Sequence, residues 1–309
     1  MMKKKIVIGT RGSKLALWQA EHIASLIREK FPTIEVQLKK IVTTGDKILD
    51  VPLAKIGGKG LFTKELENAM LSGEIDLAVH SLKDMPTELP EGLILAAITT
   101  RADAGDAFVS LRYRSLAELP PGSKVGTSSL RRRAQILKYR PDLQTIDLRG
   151  NLDTRIKKLE NQEMDAIILA VAGLKRLGLE QYITQVLPYE ICLPAVGQGA
   201  LAIETRQNDA ETMAVLAFLN DQETIAAVSA ERAYLREVQG GCQVPVGVHA
   251  EVQDEKLILE ATILKVDGSR EIREQICGSC SEAEELGIKL AQKMLAVGGK
   301  EILDELIEY

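Results

Sequence analysis

Basic and hydroxyl side chains recur at five points where a short apolar run gives way to a helical pattern. In an open α/β sheet, such points lie at the carboxyl ends of strands, where ligands bind and helix N–H groups are free. A single arginine there is most simply a solvated side chain. Repeated arginines are unfavourable at the positive end of a helix dipole unless a bound anion offsets the repulsion. They therefore indicate a ligand with several carboxylates or phosphates. The side chains concerned are Arg11, Ser13, Ser81, Lys83, Ser129, Arg131, Arg132, Arg149, Arg155 and Arg176.

Asp84 is the exception in this basic set, in the segment His80-Ser81-Leu82-Lys83-Asp84-Met85-Pro86. A carboxylate among cations should stay ionised, which suits it to stabilise a positive charge or to accept an N–H hydrogen bond. Two structural interpretations compete: a salt bridge to Lys83, and a cap of the turn before Pro86. The residues alone support the catalytic and the structural interpretations about equally.

Cys242 follows the pair Gly240-Gly241 and precedes a strand start broken by Pro245. Glycine leaves room for a bulky group to approach the sulfur or to be attached to it. Taken alone, Cys242 could be a nucleophile, a metal ligand or half of a disulfide. No histidine lies at metal-ligand spacing from a cysteine or another histidine, so no metal site is expected.

The other cysteines admit simpler interpretations. Cys277 and Cys280 form a C-x-x-C motif, but the thioredoxin-like context is missing, which favours two incidental thiols near a strand end over a redox pair. Cys192 follows Ile191 and precedes Leu193, and we expect it to be a small buried hydrophobic residue.

The composition, with 45% hydrophobic and 27% charged residues, is that of an ordinary globular protein. A net charge of -5 argues against a general nucleic-acid surface. No apolar run reaches membrane-spanning length, and the run after the first lysines is too short for a secretory signal. We therefore expect a cytoplasmic protein with reduced thiols and without nucleic-acid or membrane partners, and no apolar stripe or heptad requires more than a monomer.

Alternating apolar runs and amphipathic stretches in the first two thirds predict an α/β fold around mostly parallel sheets. The segments 9–16 and 126–132 resemble each other, and each follows a strand and opens a helix, which indicates two similar halves flanking a cleft. After about residue 220 the pattern changes to α+β, with a hairpin turn at Val266–Ser269. The predicted strands of the α/β part are Lys4–Ile8, Val36–Val42, Ile75–Val79, Leu93–Ile98, Lys124–Thr127, Thr145–Leu148, Ala166–Ala170 and Ala200–Ile203.

The expected architecture is thus two doubly wound α/β domains of the periplasmic-binding-protein type and a smaller α+β C-terminal domain. The predicted boundaries are 1–99 with 200–219, 100–199, and 220–309. Residues 43–60 show no clear helical or strand period and are rich in glycine, which is typical of a functional loop or a solvated connector. Lys55 and Lys59 would suit a lid over anions.

Several segments, above all His80–Pro86 and Gly241–Pro245, resemble those of the porphobilinogen deaminase family. The resemblance extends nearly from end to end and includes Gly9–Ser13, Lys59–Phe62, Gly126–Arg132, Asp147–Arg155 and Leu193–Ala200. It implies a hydroxymethylbilane synthase that condenses four porphobilinogen molecules head to tail, releasing ammonia at each step and then 1-hydroxymethylbilane by hydrolysis. Because each pyrrole carries an acetate and a propionate, the growing chain would be the polyanion indicated by the strand ends.

The resemblance also implies roles for individual residues. Cys242 would carry a dipyrromethane cofactor through a thioether, and Asp84 would be the catalytic aspartate that stabilises the cation left when ammonia departs. Ser81, Lys83, Ser129, Arg131 and Arg132 would hold cofactor carboxylates. Arg11, Ser13, Arg149 and Arg155 would face substrate, Arg176 would serve the lengthening chain, and Phe62 would line the ring site.

A non-enzymatic two-lobed protein that closes on a carboxylate-bearing ligand is the main alternative from another class. It fits the fold pattern equally well. It lacks the export signal expected of such proteins, and it gives Cys242 no purpose.

Overall fold

Three sheets are formed by the apolar runs, and the computed structural model describes them within residues 3–47, 63–239 and 244–306. The strands are β1 Lys5–Thr10, β2 Glu35–Lys40, β3 Leu77–Ser81, β4 Leu93–Ile98, β5 Asp106–Val109, β6 Lys124–Gly126, β7 Gln144–Ile146, β8 Ala166–Ala170, β9 Gln185–Val186, β10 Leu201–Arg206, β11 Val246–Gln253, β12 Lys256–Leu264 and β13 Glu271–Ser279. The helices are α1 Lys14–Lys30, α2 Thr44–Lys47, α3 Lys64–Leu71, α4 Leu130–Tyr139, α5 Leu152–Glu160, α6 Val171–Arg176, α7 Ala210–Leu216, α8 Gln222–Glu237, α9 Ala283–Met294 and α10 Lys300–Asp304.

The chain divides into two units, and the first comprises residues 1–101 and 200–224. Its sheet has the order β2-β1-β3-β10-β4, in which only β10 runs antiparallel to its neighbours. Helix α1 covers one face with Ile23 and Ile27, and α3 covers the other with Leu66 and Met70. Burying each such side chain contributes about 1.5–3 kcal/mol, so apolar packing on both faces holds the strand ends in position.

The second unit comprises residues 102–199 and 225–309 and contains the second five-stranded sheet. This sheet has the order β7-β6-β8-β5-β9, with β5 antiparallel to both of its neighbours. This order repeats that of the first sheet. In spatial order, β7, β6, β8, β5 and β9 correspond to β2, β1, β3, β10 and β4. The two similarly built α/β halves predicted from the sequence are therefore confirmed.

The C-terminal region is an antiparallel meander of β11, β12 and β13 packed against α8 and α9. Tyr234 of α8 and Leu290 of α9 lie in this core. The predicted turn at Val266–Ser269 is confirmed, because Gly268 has φ +75° and donates its N–H to Lys265 at 2.9 Å. The α+β class is also confirmed. This region belongs to the same unit as the second α/β sheet, and the finer three-domain division stays a prediction.

All eight predicted α/β strands are present with shifts of a few residues at their ends, whereas β5 and β9 were missed. β9 has only two residues, too few to show a period. β5 begins with a charged residue, Asp106, which the hydrophobic pattern places outside a buried strand. The buried carboxylate of Asp106 pairs with two of the predicted site residues, Arg131 and Arg132.

Candidate active site

The turn from β1 to α1 has the features expected of an anion-binding strand end. Ser13 is the N-cap of α1, with extended backbone angles, and its Oγ accepts the N–H of Ala16 at 3.2 Å. No acidic residue lies in the first helical turn. Arg11, partly buried, precedes this cap and so adds a cation at the positive end of the helix.

The end of β3 positions Ser81 and Asp84. The Ser81 backbone lies opposite Leu201 of β10, and its hydroxyl accepts the side-chain N–H of Gln19 at 2.8 Å. Leu82–Asp84 then form one turn of 3-10 helix. The turn ends because Met85, which precedes Pro86, is restricted to the extended conformation that it adopts here. The Asp84 side chain is consequently left at an exposed turn.

Neither structural interpretation of Asp84 is found in the structure. Among the described residues, its carboxylate accepts no hydrogen bond and forms no ion pair. The N–H of Met85 bonds to the Leu82 carbonyl at 3.0 Å, so Asp84 does not cap the turn. The charge on Asp84 is thus not engaged by Lys83.

A single pocket in the first unit brings several of the predicted residues together. Arg11 and Ser13 from the β1–α1 turn meet Ser81 and Asp84 from the end of β3. Gln19, Thr63 and His80 are further polar residues of its lining. The pocket therefore combines one exposed carboxylate with hydroxyl, amide and guanidinium donors, which suits a small molecule carrying both a cationic and an anionic group.

In the second unit, α4 begins at the end of β6 with the same kind of cap. Ser129 is the N-cap, and its Oγ accepts the N–H of Arg132 at 3.4 Å. Arg131 and Arg132, in the first helical turn, are 5% and 6% exposed. Such burial requires a counter-charge.

The counter-charge is Asp106, the first residue of β5, which is fully buried. Its Oδ2 accepts from Arg131 Nη1 at 2.6 Å, and its Oδ1 accepts from Arg132 Nε at 3.0 Å and Nη2 at 2.6 Å. Burial alone would raise the pKa of Asp106, but the two guanidinium groups outweigh it and hold the pKa well below its usual range. The anion expected at this helix start is therefore supplied, at least in part, by the chain itself.

The same cluster explains Cys192. Its Sγ lies 3.4 Å from Asp106 Oδ2, and the side chain is fully buried. Burial raises the pKa of the thiol to about 12, which keeps it protonated and unreactive at neutral pH. The prediction of a small buried residue is confirmed.

The remaining predicted arginines follow other strands of the second unit: Arg149 lies after β7, Arg155 in α5, and Arg176 at the last residue of α6. Arg155 donates from Nε to the Gly150 carbonyl at 2.8 Å, and Arg176 donates from Nη2 to the Gly199 carbonyl at 2.6 Å. Burial lowers the pKa of Arg176 to about 10. Within the described part of the chain, neither Arg149 nor Arg176 forms an ion pair with a carboxylate.

Some predicted site residues lie outside the described residues. They are Lys55, Lys59, Phe62 and Cys242. Cys277 and Cys280 are described and are free thiols. Across the ranges that the structure describes, no group of three or more histidine, cysteine or acidic side chains is arranged to hold a metal ion. No helix in these ranges has the length and apolar character needed to span a membrane.

Three polar residues of these sites were missed by the sequence analysis. Gln19 looks like any polar residue of an amphipathic helix, so no local signal distinguishes it. Asp106 and Glu204 each interrupt an apolar run that becomes a buried strand, and a charge inside such a run was the available signal. Glu204 is fully buried on β10, beside the pocket of the first unit.

Solved structures that this chain resembles include a putative methionine-binding lipoprotein of Bacillus subtilis, 16% identical, with a TM-score of 0.44 over 70% of this chain and 90% of that chain. The periplasmic aliphatic sulphonate binding protein of Escherichia coli is 15% identical, with a TM-score of 0.40 over 76% of this chain and 71% of its own.

Curated relatives are far more similar. The porphobilinogen deaminase of Geobacter sulfurreducens is 53% identical over 308 residues, covering 100% of this chain and 96% of the relative. That of Desulforamulus reducens is 52% identical over 305 residues, covering 99% of each. That of Maridesulfovibrio salexigens is 53% identical with the same coverage.

Family models agree with these relatives across most of the sequence. The porphobilinogen deaminase dipyromethane cofactor binding domain matches residues 6–214, and the porphobilinogen deaminase C-terminal domain matches residues 225–296. The chain therefore belongs to the porphobilinogen deaminase family, the hydroxymethylbilane synthases of tetrapyrrole biosynthesis, which condense four porphobilinogen molecules head to tail on a dipyrromethane primer and release ammonia and then 1-hydroxymethylbilane.

Proposed function

We propose that Asp84 is the catalytic carboxylate of this condensation and that Cys242 is the covalent anchor of the primer. The observation that carries the first assignment is the pocket in which Asp84, without an ion-pair partner among the described residues, meets Arg11, Ser13 and Ser81. Porphobilinogen carries a cationic aminomethyl group, an acetate and a propionate, and the pocket offers partners of the opposite charge to each kind of group.

Asp84 would act by electrostatic stabilisation. When the aminomethyl group loses ammonia, positive charge spreads over the pyrrole, and a fixed carboxylate nearby lowers the energy of that state. Because Asp84 accepts no hydrogen bond from the described residues, its charge is not already compensated. The carboxylate can therefore accept the pyrrole N–H.

Arg11 and Ser13 would bind the carboxylates of the incoming substrate. A guanidinium group binds a carboxylate in a bidentate manner, and the N-cap serine adds a hydroxyl donor at the positive end of α1. Opposite charges at the two sides of one pocket orient the ring, so that the aminomethyl carbon faces Asp84 rather than Arg11.

The primer, when bound, supplies the free pyrrole α-carbon that attacks the activated substrate. The second unit contains donors that fit its carboxylates: Arg131 has Nε and Nη2 without an acceptor among the described residues, although Asp106 occupies Nη1. In the same unit, Ser129 and Arg132 would add to these donors. Ser81 and Lys83 of the first unit would also hold cofactor carboxylates. The two guanidinium groups carry one charge more than Asp106 neutralises, so this helix start remains attractive to an anion.

Arg149, Arg155 and Arg176 would bind the acidic side chains of added rings. The strongest support concerns Arg176, a partly buried guanidinium whose pKa is lowered by burial and which has no ion-pair partner among the described residues. An incoming carboxylate would remove that electrostatic cost. Phe62 would line the ring site, and Lys55 and Lys59 would suit a lid over anions.

Intact-mass analysis tests the anchor. The purified protein should exceed its sequence mass by two linked pyrroles, and Cys242→Ser should lack that excess because an alcohol is a much poorer nucleophile than a thiol for forming the link. Cys277→Ser, which removes an exposed thiol, is the matched control and should keep the full adduct. An unmodified parent protein with full activity would contradict the covalent primer.

A second prediction concerns elongation. Arg149→Gln should accumulate enzyme species with fewer added rings, since the acidic side chains of the later rings would lose one of their cations. We expect the mass spectrum after a limiting dose of porphobilinogen to show this shift. Arg112→Gln, at an exposed ion pair with Asp165 in the same unit, should give the parent pattern. A normal rate of tetrapyrrole release by Arg149→Gln would remove Arg149 from this role.

We further propose a cytoplasmic monomer with porphobilinogen as its substrate and without nucleic-acid or membrane partners. The net charge of -5 supports the lack of a nucleic-acid surface. The substrate follows from the family to which the chain belongs. Size-exclusion chromatography with light scattering would test the oligomeric state.

A further inference from the structure

His80 occupies two environments at once. The residue is 7% exposed, as expected for a core histidine, yet it also lines the pocket that contains Asp84. Nε2 lies 3.1 Å from Oε2 of Glu204. The carboxylate oxygen accepts this hydrogen bond when the ring proton is on Nε2.

The sheet explains how the two side chains meet. In the antiparallel register, His80 lies opposite Ala202 and Glu204 lies opposite Ala78, so His80 and Glu204 are diagonal neighbours on one face. Helix α3 covers that face through Leu66 and Met70. Glu204 is therefore completely enclosed behind the histidine.

Burying the polar groups of His80 and Glu204 has a free-energy cost. Among the described residues, Oε1 of Glu204 has no hydrogen-bond partner, and the same is true of Oε1 of Glu67 on α3. Glu67 is 6% exposed, and burial, together with the nearby Glu204 charge, raises its pKa. Apolar side chains of similar volume are usually at least as stabilising as such a buried pair. The stability of the fold alone therefore does not explain why His80 and Glu204 are buried here.

The position in the chain indicates what the pair does. His80 immediately precedes Ser81, and Asp84 follows within one turn of 3-10 helix. Backbone pairing with β10 stops at this point, where Leu82 N–H bonds to the Ala200 carbonyl at 3.0 Å. Close to this point, the His80–Glu204 hydrogen bond joins β3 and β10 through their side chains, and His80 lines the pocket.

We propose that His80 is a positioning residue for the Asp84 site and that Glu204, from behind, fixes the orientation of its ring. This inference rests on the proposed role of Asp84. It assigns no proton transfer to His80. The function of the pair is to hold the end of β3, and with it the Asp84 carboxylate, in the geometry that the reaction requires.

The test compares His80→Phe, Glu204→Leu, Glu204→Gln and the double variant His80→Phe/Glu204→Leu, all loaded with primer. We expect His80→Phe and Glu204→Leu each to lower kcat for porphobilinogen by about 10- to 100-fold, with KM changed less than about threefold, since a displaced catalytic group impairs the reaction more than binding. Glu204→Gln should restore most of kcat, because its amide oxygen accepts the same hydrogen bond. The double variant should be no slower than His80→Phe, because Glu204 acts through His80.

Asp209→Asn is the matched control for a purely structural effect. Asp209 is a mostly buried carboxylate of the same unit, paired with Lys3 at 2.8 Å and Arg206 at 2.7 Å. It should lower the unfolding midpoint without changing kcat of the folded enzyme. Parent-like kcat in Glu204→Leu, or losses that add in the double variant, would overturn the proposal.

Folding failure does not block the test. If Glu204→Leu does not fold, His80→Phe and Glu204→Gln provide the test. A low kcat in His80→Phe together with a near-normal kcat in Glu204→Gln supports the positioning role. A parent-like kcat in His80→Phe refutes it. The mass and turnover of the parent protein distinguish a failure of this inference from a failure of the proposed function on which it rests. A parent without the two-pyrrole mass or without turnover contradicts the proposed function, whereas a loaded, active parent with unaffected variants contradicts only the role of His80.

Discussion

Asp84→Asn should keep the fold and the primer and lower turnover of porphobilinogen by at least about 10²- to 10³-fold. The amide preserves the shape of the side chain but removes the charge that would stabilise the developing cation. Because the Asp84 side chain is exposed and accepts no hydrogen bond from the described residues, the free energy of unfolding should change by less than about 0.5 kcal/mol. The measurements are kcat of the loaded enzyme, its intact mass and its unfolding midpoint.

Glu91→Gln is the matched control for Asp84→Asn, since it neutralises another exposed carboxylate of the same unit. It should leave all three measurements unchanged. Near-normal turnover by Asp84→Asn would exclude Asp84 from catalysis. A large fall in the unfolding midpoint would instead indicate a structural role that the contacts of Asp84 do not show.

The largest effect on stability is expected for Asp106→Asn. The substitution leaves Arg131 and Arg132 buried without their counter-charge, and breaking a buried ion pair in this way costs about 3–5 kcal/mol. The midpoint of urea denaturation, followed by a probe in the second unit, measures the loss. Asp147→Asn, at an ion pair with Arg133 in which the aspartate is 59% exposed, is the control and should cost about 0–1 kcal/mol.

Acid should weaken the same interaction. The pKa of Asp106 in the folded protein lies below its ordinary value of 3.8, so the ionised carboxylate stabilises the fold fully above that value. This contribution is lost as the pH falls from about 4 toward the lowered pKa of the folded state. Asp106→Asn, which has no proton to bind, should lose less stability than the parent over this acid range. Parallel acid profiles for the two proteins would contradict the assignment.

Local sequence patterns predicted the helix starts and the strands well, for a physical reason. The caps of α1 and α4 depend on Ser13 and Ser129 and on the N–H groups three residues later, so all the atoms involved are neighbours in sequence. Apolar periodicity likewise predicted both α/β halves and the α+β region. β5 was missed because Asp106 makes its first residue charged, and its burial depends on arginines that follow 25 and 26 positions later.

The candidate residues were predicted as a set, but their partners were not. The sequence motifs predicted that Arg11, Ser13, Ser81 and Asp84 are site residues, and the fold places these four around one pocket. The motifs also grouped Arg131 and Arg132 with the ligand-binding cations, whereas the structure shows that they share Asp106. Their role toward the cofactor stays a prediction.

The sequence by itself determined the family, the α/β pattern and the types of chemical group available, because motifs, periodicity and helix caps are local. Only the tertiary structure decided which charges remain available. It joined Asp106 to two arginines and Glu204 to His80, and it left Asp84 without an ion pair among the described residues. Ion pairing depends on distances of a few ångström between residues far apart in the chain, and the order of strands in the sheets sets those distances.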